Sequence, residues 1–268
     1  MAPFHRRRTE LALPWVLAAG WIAAAGCKSI RGTEPAKVSA SQVVSSAYWF
    51  RGTPRSLTPV TQGDLVVNSP MAFGGTFSFV TWYNVQLTNR TGDAVFPDGS
   101  GGEATEIDLV FDYARKVGDV DLSVGGIGYH FPDVGPTTKE AYVGGSFEAL
   151  GISLALTAYY DIDLLDDYYL LSSASRGFEL DERWSADLAL LVGYMSDDQA
   201  GHYFGRQRSG FSDVLLTGGL EYHFDENASV FLKAAGVSVP DDELADSLDG
   251  AGLDDSGLWF TLGAAWGL

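Results

Sequence analysis

The chain has 268 residues, with 17 lysines and arginines against 35 aspartates and glutamates, and a formal net charge of −18 at pH 7. A protein of that charge repels phosphate, which excludes a nucleic-acid partner. A single cysteine excludes a disulfide framework. The mean hydropathy of +0.03 is too low for a chain built from membrane-spanning helices.

Residues 1–26 predict a cleaved export signal. A basic stretch, MAPFHRRRTE, precedes LALPWVLAAGWIAAAG, an apolar run of signal-peptide length that is short for a membrane-spanning helix. The run ends at Ala24-Ala25-Gly26-Cys27, which resembles a bacterial lipobox except that Ala24 stands where leucine is usual. Cys27 is therefore a candidate for lipidation. The alternative is an ordinary signal peptide cut after Ala25 or Gly26, with Cys27 incidental.

Residues 27–40 are predicted to be a linker, and 41–268 a single β-domain. In that domain apolar residues alternate with polar ones at period two, in segments bounded by Gly, Asp, Asn or Pro. Twelve segments follow this pattern, and they are 41–51, 60–69, 73–84, 105–116, 119–131, 139–149, 152–162, 168–179, 183–194, 213–224, 228–237 and 258–268.

The segment 105–116 illustrates the alternation. One face carries Ile107, Leu109, Phe111 and Tyr113, whereas the other face is acidic. Aromatic residues also cluster at the strand ends on the apolar face, as interfacial girdles do on membrane barrels. They are Tyr113, Tyr160, Trp184, Tyr194, Tyr222, Phe224 and Trp266.

The connections between segments alternate between tight turns and longer loops. Short turns on one rim and longer loops on the other are typical of outer-membrane barrels. An even strand count then puts both chain ends on the short-turn side. A secreted β-sandwich is the soluble alternative, but it does not need one long apolar band shared by all twelve strands. The sequence therefore predicts an all-β, antiparallel up-and-down transmembrane β-barrel of about twelve strands.

The chain ends on WFTLGAAWGL. Gly263, Trp266 and Leu268 fit a terminal pattern that resembles the signal read by the barrel-assembly machinery, although Phe or Trp is the usual final residue. A chance match within a glycine-rich strand is the alternative. A barrel also requires this last strand to close onto the first.

The region 44–87 carries a Ser-x-Tyr-x-Phe-Arg-Gly motif at Ser46–Gly52, then Pro59, Gln62 and Gly63, then Gly75, Trp82 and Asn84. These motifs resemble the Gcw_chp family of conserved hypothetical bacterial proteins, and TEIDL, EAYVG and YYDID further along also look similar. The resemblance implies a porin-like outer-membrane barrel with no established reaction.

If the apolar face meets lipid, the acidic face lines the lumen, because a charge facing lipid at the midplane costs about 2–4 kcal/mol. A lumen of one sign attracts counter-ions. Within the stretch SSAYWFRG, the alternation of strand faces places Tyr48 and Phe50 at the lipid boundary. It places Arg51 inward, near the rim that carries the longer loops. The predicted lumen-lining residues are Arg51, Glu106, Asp108, Asp112, Asp121, Glu140, Asp161, Asp163, Asp187 and Glu221.

Twelve strands fall between small barrels filled by side chains and large barrels that hold aqueous channels. A narrow pore and a lumen plugged by the N-terminal segment or by loops are both compatible with the sequence. The sequence contains neither a Gly-x-Ser-x-Gly motif nor a His-x-Ser-Asn-Gly-type motif, so no enzyme, cofactor or catalytic residue is predicted. The acidic loop 240–257 lacks the EF-hand pattern, which leaves only loose binding of divalent cations open.

These observations predict a narrow porin-like channel with an acidic lumen for small cationic or neutral solutes. The alternatives are a non-conducting structural or surface-interaction barrel and, third, an outer-membrane hydrolase. The predicted location is the outer membrane of a Gram-negative-type bacterium. The predicted partners are outer-membrane lipid, lipopolysaccharide and the barrel-assembly machinery.

Overall fold

A computed structural model describes residues 36–89, 99–132 and 135–267. The predicted signal 1–26, Cys27 and Leu268 lie outside the described residues. The elements in chain order are β1 (Lys37–Ser45), β2 (Tyr48–Phe50), β3 (Thr53–Ser56), β4 (Val60–Asn68), β5 (Thr76–Gln86), β6 (Ala104–Val117), β7 (Val120–His130), β8 (Thr138–Ala149), β9 (Ile152–Asp161), β10 (Tyr168–Glu179), β11 (Trp184–Met195), α1 (Asp197–Phe204), β12 (Gly210–His223), β13 (Ala228–Ser238), α2 (Asp242–Gly250) and β14 (Ser256–Gly267).

Twelve antiparallel strands form a closed barrel, in which every strand pairs with its neighbour along the chain and β1 pairs with both β4 and β14. The predicted strand number and topology are confirmed. The predicted closure is confirmed as well, since Val43 of β1 lies opposite Gly263 of β14 and Ser45 lies opposite Thr261. Strands β2 and β3 form a separate hairpin that is not part of the barrel wall.

The first wall strand differs from the predicted segment 41–51. Strand β1 begins at Lys37, inside the predicted linker, and ends at Ser45. The chain leaves the wall there because Ser45 already faces Val60, where the next wall strand begins. Residues 46–59 are thus free to fold elsewhere, and they carry the β2–β3 hairpin.

The outer face of the wall is apolar, as the alternation predicts. Leu109 and Phe111 are 50% and 56% exposed, whereas Asp108 and Asp112 on the other face are buried. Aromatic pairs on this face include Trp184–Tyr222 and Tyr222–Phe224, with ring centroids 5.0 and 5.2 Å apart. A continuous apolar exterior suits hydrocarbon and would aggregate in water. Neither helix in the described residues is long and apolar enough to cross a membrane.

Tight turns lie at one end of the barrel, and the longer connections with both helices lie at the other, here called the loop side. The turn after β10 shows how a tight turn is fixed. The Asp181 carboxylate accepts the backbone N–H groups of Arg183 and Trp184 at 2.7 and 2.9 Å. These bonds stabilise the ionised form and lower the pKa of Asp181.

The interior differs between the two ends. In the loop-side half the inward side chains are large and fully buried, for example Tyr169, Leu191 and Met195. In the turn-side half many inward side chains are small and stay partly exposed, for example Ser153 and Ser175. The lumen is therefore filled at the loop side and reaches solvent at the turn side.

Candidate functional site: a plug held by an arginine

The loop-side half of the lumen is filled by the plug, defined here as residues 46–59 with the β2–β3 hairpin. Every residue from Ala47 to Ser56 is buried. The hairpin turns at Arg51 and Gly52, whose φ angles are 50° and 82°. Two successive positive φ values define the two-residue type I′ turn that matches strand twist. Glycine adopts this conformation freely, whereas it is unfavourable for arginine.

The prediction that Tyr48 and Phe50 face lipid is wrong. Both rings are 4% exposed and belong to the interior core. The chain leaves the barrel wall at Ser46, so the alternation of inward and outward side chains along β1 does not continue into this stretch. Trp49 packs inside too, stacked on Trp259 with centroids 6.4 Å apart.

Arg51 points inward, and the structure shows its partners. Its two terminal nitrogens donate to the two carboxylate oxygens of Glu140 in β8, both at 2.6 Å. Both side chains are 2% exposed. The Tyr129 hydroxyl donates to Glu140 Oε2 at 2.9 Å and helps to orient the carboxylate. A two-bonded arginine–carboxylate pair is among the strongest hydrogen-bonded contacts in proteins.

Aromatic rings surround the same guanidinium. Its central carbon lies 4.2 Å from the ring centre of Tyr169, 5.4 Å from that of Tyr159 and 5.9 Å from that of Tyr203. These distances fit cation–π contacts. We call Glu140, Tyr159, Tyr169 and Tyr203 the guanidinium cage, since together they enclose the charge of Arg51.

Both helices cover the plug from the loop side. Phe204 of α1 and Leu244 and Leu248 of α2 are buried in the same core as the hairpin. Arg206 and Arg208, which follow α1, form ion pairs with Glu243 of α2. The two connections that contain α1 and α2 were predicted only as long loops. They fold into a lid that packs against the plug.

Tyrosine hydroxyls donate to carboxylates throughout the interior. Tyr48 donates to Glu106 at 2.7 Å, Tyr142 donates to Asp112 at 3.0 Å, and Tyr169 lies 3.2 Å from Asp213 Oδ1. Sequence reasoning did not single out this pairing. The sequence does contain a signal for these pairs, because tyrosines such as Tyr159 share a predicted strand face with acidic residues such as Asp161.

The structure buries six predicted lumen residues inside the barrel, and they are Arg51, Glu106, Asp108, Asp112, Glu140 and Asp161. Asp121, Asp187 and Glu221 face inward but are partly exposed, in the turn-side half. The placement of Asp163 in the lumen is wrong. Strand β9 ends at Asp161, and Asp163 is exposed beyond it, 2.8 Å from Lys139.

Asp161 has a structural role. Its Oδ2 accepts from Thr138 at 2.7 Å, and its Oδ1 accepts the backbone N–H groups of residues 163, 164 and 165. A carboxylate that fixes a loop in this way is not available to a passing solute. Among the predicted lumen residues, Glu221 is better placed to meet a solute, because it faces inward and stays partly exposed, whereas Asp112 is 3% exposed.

Buried carboxylates outnumber buried cations inside the barrel. The buried acids are Asp64, Glu106, Asp108, Asp112, Glu140, Asp161 and Asp213, and the buried bases among the described residues are Arg51, Arg55 and Lys233. Arg55, which sequence reasoning missed, lies 5.0 Å from the ring centre of Tyr203. Within the described residues, Asp108 Oδ1 and Asp112 Oδ2 have no hydrogen-bond donor. Seven buried acidic side chains thus share three buried basic ones among the described residues.

A serine and a histidine also meet in the turn-side half. Ser185 Oγ lies 3.0 Å from His223 Nε2, a distance that a serine nucleophile and its base would share. In the described part of the chain no carboxylate is hydrogen-bonded to His223, so the orienting third group of a triad is missing there. The described ranges also contain no group of three or more His, Cys, Asp or Glu arranged to hold a metal ion.

An apolar exterior, closed strand pairing and an interior lined by ionisable side chains together define a transmembrane β-barrel. Among solved structures, the COG4313 outer-membrane channel from Pseudomonas putida F1 is similar at a TM-score of 0.56 with 11% identity, covering 92% of this chain and 100% of that one. The NanC porin gives a TM-score of 0.49 with 12% identity, covering 86% and 98%. The KdgM porin in complex with disordered oligogalacturonate gives 0.48 with 10% identity, covering 86% and 98%.

Similarity at such low identity establishes the fold alone. No protein-family model and no curated protein sequence matches the chain. The resemblance to the Gcw_chp family stays a prediction.

Proposed function

We propose that this protein is an outer-membrane channel of the porin type for small cationic or neutral solutes. In the described conformation the plug closes this channel. The observation that carries the proposal is the acidic interior, which opens to solvent at the turn side and is filled at the loop side by one hairpin and its lid. A lumen of one sign concentrates counter-ions and favours their passage.

The plug is a separable part of the barrel. Ser45 and Val60 are directly paired in the wall, so residues 46–59 are not needed to complete any wall strand. Movement of this segment would open the loop-side half without breaking the barrel. This arrangement supports a gated channel.

A non-conducting barrel is the second candidate, and the packing of the plug favours it. Phe50, Phe204 and Leu244 are buried in one continuous core that fills the lumen. In that case the lid formed by α1 and α2 would act as a binding surface. Conductance in planar bilayers separates the two functions.

Full-length protein folded into planar bilayers is expected to give discrete conductance steps with a reversal potential that favours K⁺ over Cl⁻. Glu221→Gln removes one inward, partly exposed carboxylate and is expected to reduce that preference. Asp163→Asn makes the same charge change outside the lumen and is expected to leave it unaltered. Absence of steps under all conditions would reject the channel in favour of the non-conducting barrel.

The proposal includes export and insertion into the outer membrane of a Gram-negative-type bacterium. A cleaved signal at 1–26 would direct export, and lipidation at Cys27 would add a second membrane anchor. Contacts with outer-membrane lipid and lipopolysaccharide follow from the apolar wall. Recognition by the barrel-assembly machinery would use the end of β14. Incorporation of labelled palmitate that persists in Cys27→Ser would reject lipidation at this residue.

A further inference from the structure

The Arg51 guanidinium is bound as a ligand would be. The groups that contact it outside the hairpin come from four other elements, with Glu140 in β8, Tyr159 in β9, Tyr169 in β10 and both Gln199 and Tyr203 in α1. The wall strands that carry three of these groups do not depend on the plug for their pairing. The part of the guanidinium cage carried by the wall, Glu140, Tyr159 and Tyr169, would therefore persist when the hairpin moves away.

The chemistry of the cage is specific. The two carboxylate oxygens of Glu140 match the parallel N–H groups of a planar guanidinium, and the Tyr169 ring is placed for stacking on its face. An alkylammonium is a compact, strongly hydrated charge that cannot form the same paired bonds. A neutral isostere such as urea lacks the charge.

The hairpin binds the cage at a conformational cost. Arg51 has a φ of 50°, in the left-handed region that is unfavourable for a residue with a side chain. Such outliers persist only when the surroundings hold them, and they cluster at ligand clamps and switches. A free guanidinium would make the same contacts without that cost, which reduces the advantage that Arg51 has from being tethered.

We propose that the guanidinium cage is a binding site for a small guanidinium-bearing solute and that Arg51 occupies it as a built-in competitor. This inference rests on the proposed function, because the solute must enter the lumen. It adds a substrate class, organic cations with a planar guanidinium group. It also gives Arg51 a role, since displacement by the solute would release the plug.

The test uses full-length protein in detergent micelles, with agmatine as the guanidinium probe, putrescine, which has a second ammonium group in place of the guanidinium, as the ammonium control and urea as the neutral control. Binding is measured by calorimetry and by the shift in thermal unfolding. Arg51→Ala empties the cage and is expected to bind agmatine at least about tenfold more tightly than the wild type, because the internal competitor is gone. Putrescine is expected to bind Arg51→Ala more weakly than agmatine, and urea to give no shift.

Arg55→Ala is the matched control. Arg55 is the other buried arginine of the hairpin, and its removal leaves Arg51 in the cage. No gain in agmatine binding is expected for Arg55→Ala. The double variant Arg51→Ala with Glu140→Gln is expected to lose the gain seen with Arg51→Ala alone.

Equal agmatine affinity in the wild type and Arg51→Ala, an equal gain in Arg55→Ala, or equal affinity for putrescine would overturn the inference. If Arg51→Ala folds poorly, recovery of heat-modifiable protein with agmatine but not with putrescine supports the site, and no recovery contradicts it. Binding in micelles does not require conduction. Agmatine binding without conductance would therefore reject the channel and support the binding site. Conductance without agmatine binding would support the channel and reject the binding site.

Discussion

Arg51 and Glu140 are joined by two parallel hydrogen bonds of 2.6 Å deep inside the barrel, and they connect the tip of a hairpin to the wall strand β8. Removal of one partner from a buried ion pair leaves an uncompensated charge. The pair therefore links the position of the plug to the stability of the whole barrel.

Glu140→Gln is expected to destabilise the folded barrel by about 3–5 kcal/mol, because it leaves Arg51 charged and buried without its carboxylate. Urea unfolding in lipid vesicles, followed by tryptophan fluorescence, measures the change. Asp163→Asn breaks the exposed pair with Lys139, so its cost is expected to be about 0–1 kcal/mol. Equal costs for the two variants would mean that the Arg51–Glu140 pair does not hold the plug.

Gly52→Ala is expected to disturb the plug more than Gly151→Ala does. Both glycines have positive φ, so both substitutions carry the backbone cost of roughly 1–2 kcal/mol. A Cβ at Gly52 would also collide with the backbone oxygen of Ser212, whereas a Cβ at Gly151 would meet open space. Limited proteolysis within residues 46–59 reports the result. Equal protection in the two variants would show that the turn is not tightly packed.

Leu109→Arg tests the outward face. Leu109 is 50% exposed in the middle of β6, so an arginine there is expected to cost about 2–4 kcal/mol in lipid. Ser173→Arg places the same charge in the middle of β10 but inward, where the side chain is partly exposed to the lumen, and a smaller cost is expected. Folding yield in vesicles and heat-modifiable migration compare the two. A larger cost for Ser173→Arg than for Leu109→Arg would mean that the inward and outward faces are assigned the wrong way round.

Gly263→Ala separates two roles for the end of β14. A Cβ there would collide with the Phe231 ring and lie 2.7 Å from Val43 Cγ1 at the closing seam. If packing alone requires glycine, Phe231→Leu combined with Val43→Ala is expected to restore the assembly of Gly263→Ala. If the assembly machinery reads the glycine, the same two substitutions restore folding into pure lipid but not assembly in cells. Quantifying both yields distinguishes the two explanations.

Most of the wall could be predicted because a barrel sorts side chains by a rule that is local in sequence. Alternation at period two assigns Leu109 outward and Asp108 inward without knowledge of any partner. The closing of β14 on β1 follows from the strand count and from the exclusion of free sheet edges in lipid.

The plug could not be predicted by the same rule. SSAYWFRG alternates like a wall strand, and an arginine at positive φ contradicts ordinary turn preferences. What holds Arg51 there is Glu140, a partner 89 residues further along the chain. Nothing in the sequence around either residue indicates that contact. The end of the wall strand β1 is likewise set by its pairing register with β4, which the local pattern does not show.

The conductance of a barrel without its plug tests the central claim most directly. Because Ser45 and Val60 are paired, residues 46–59 can be replaced by Asn-Gly, which favours a type I′ turn. In planar bilayers the shortened protein is expected to give larger and longer-lived cation-selective steps than the full-length protein. Equal conductance in the two proteins, or none in either, would contradict a channel closed by the plug.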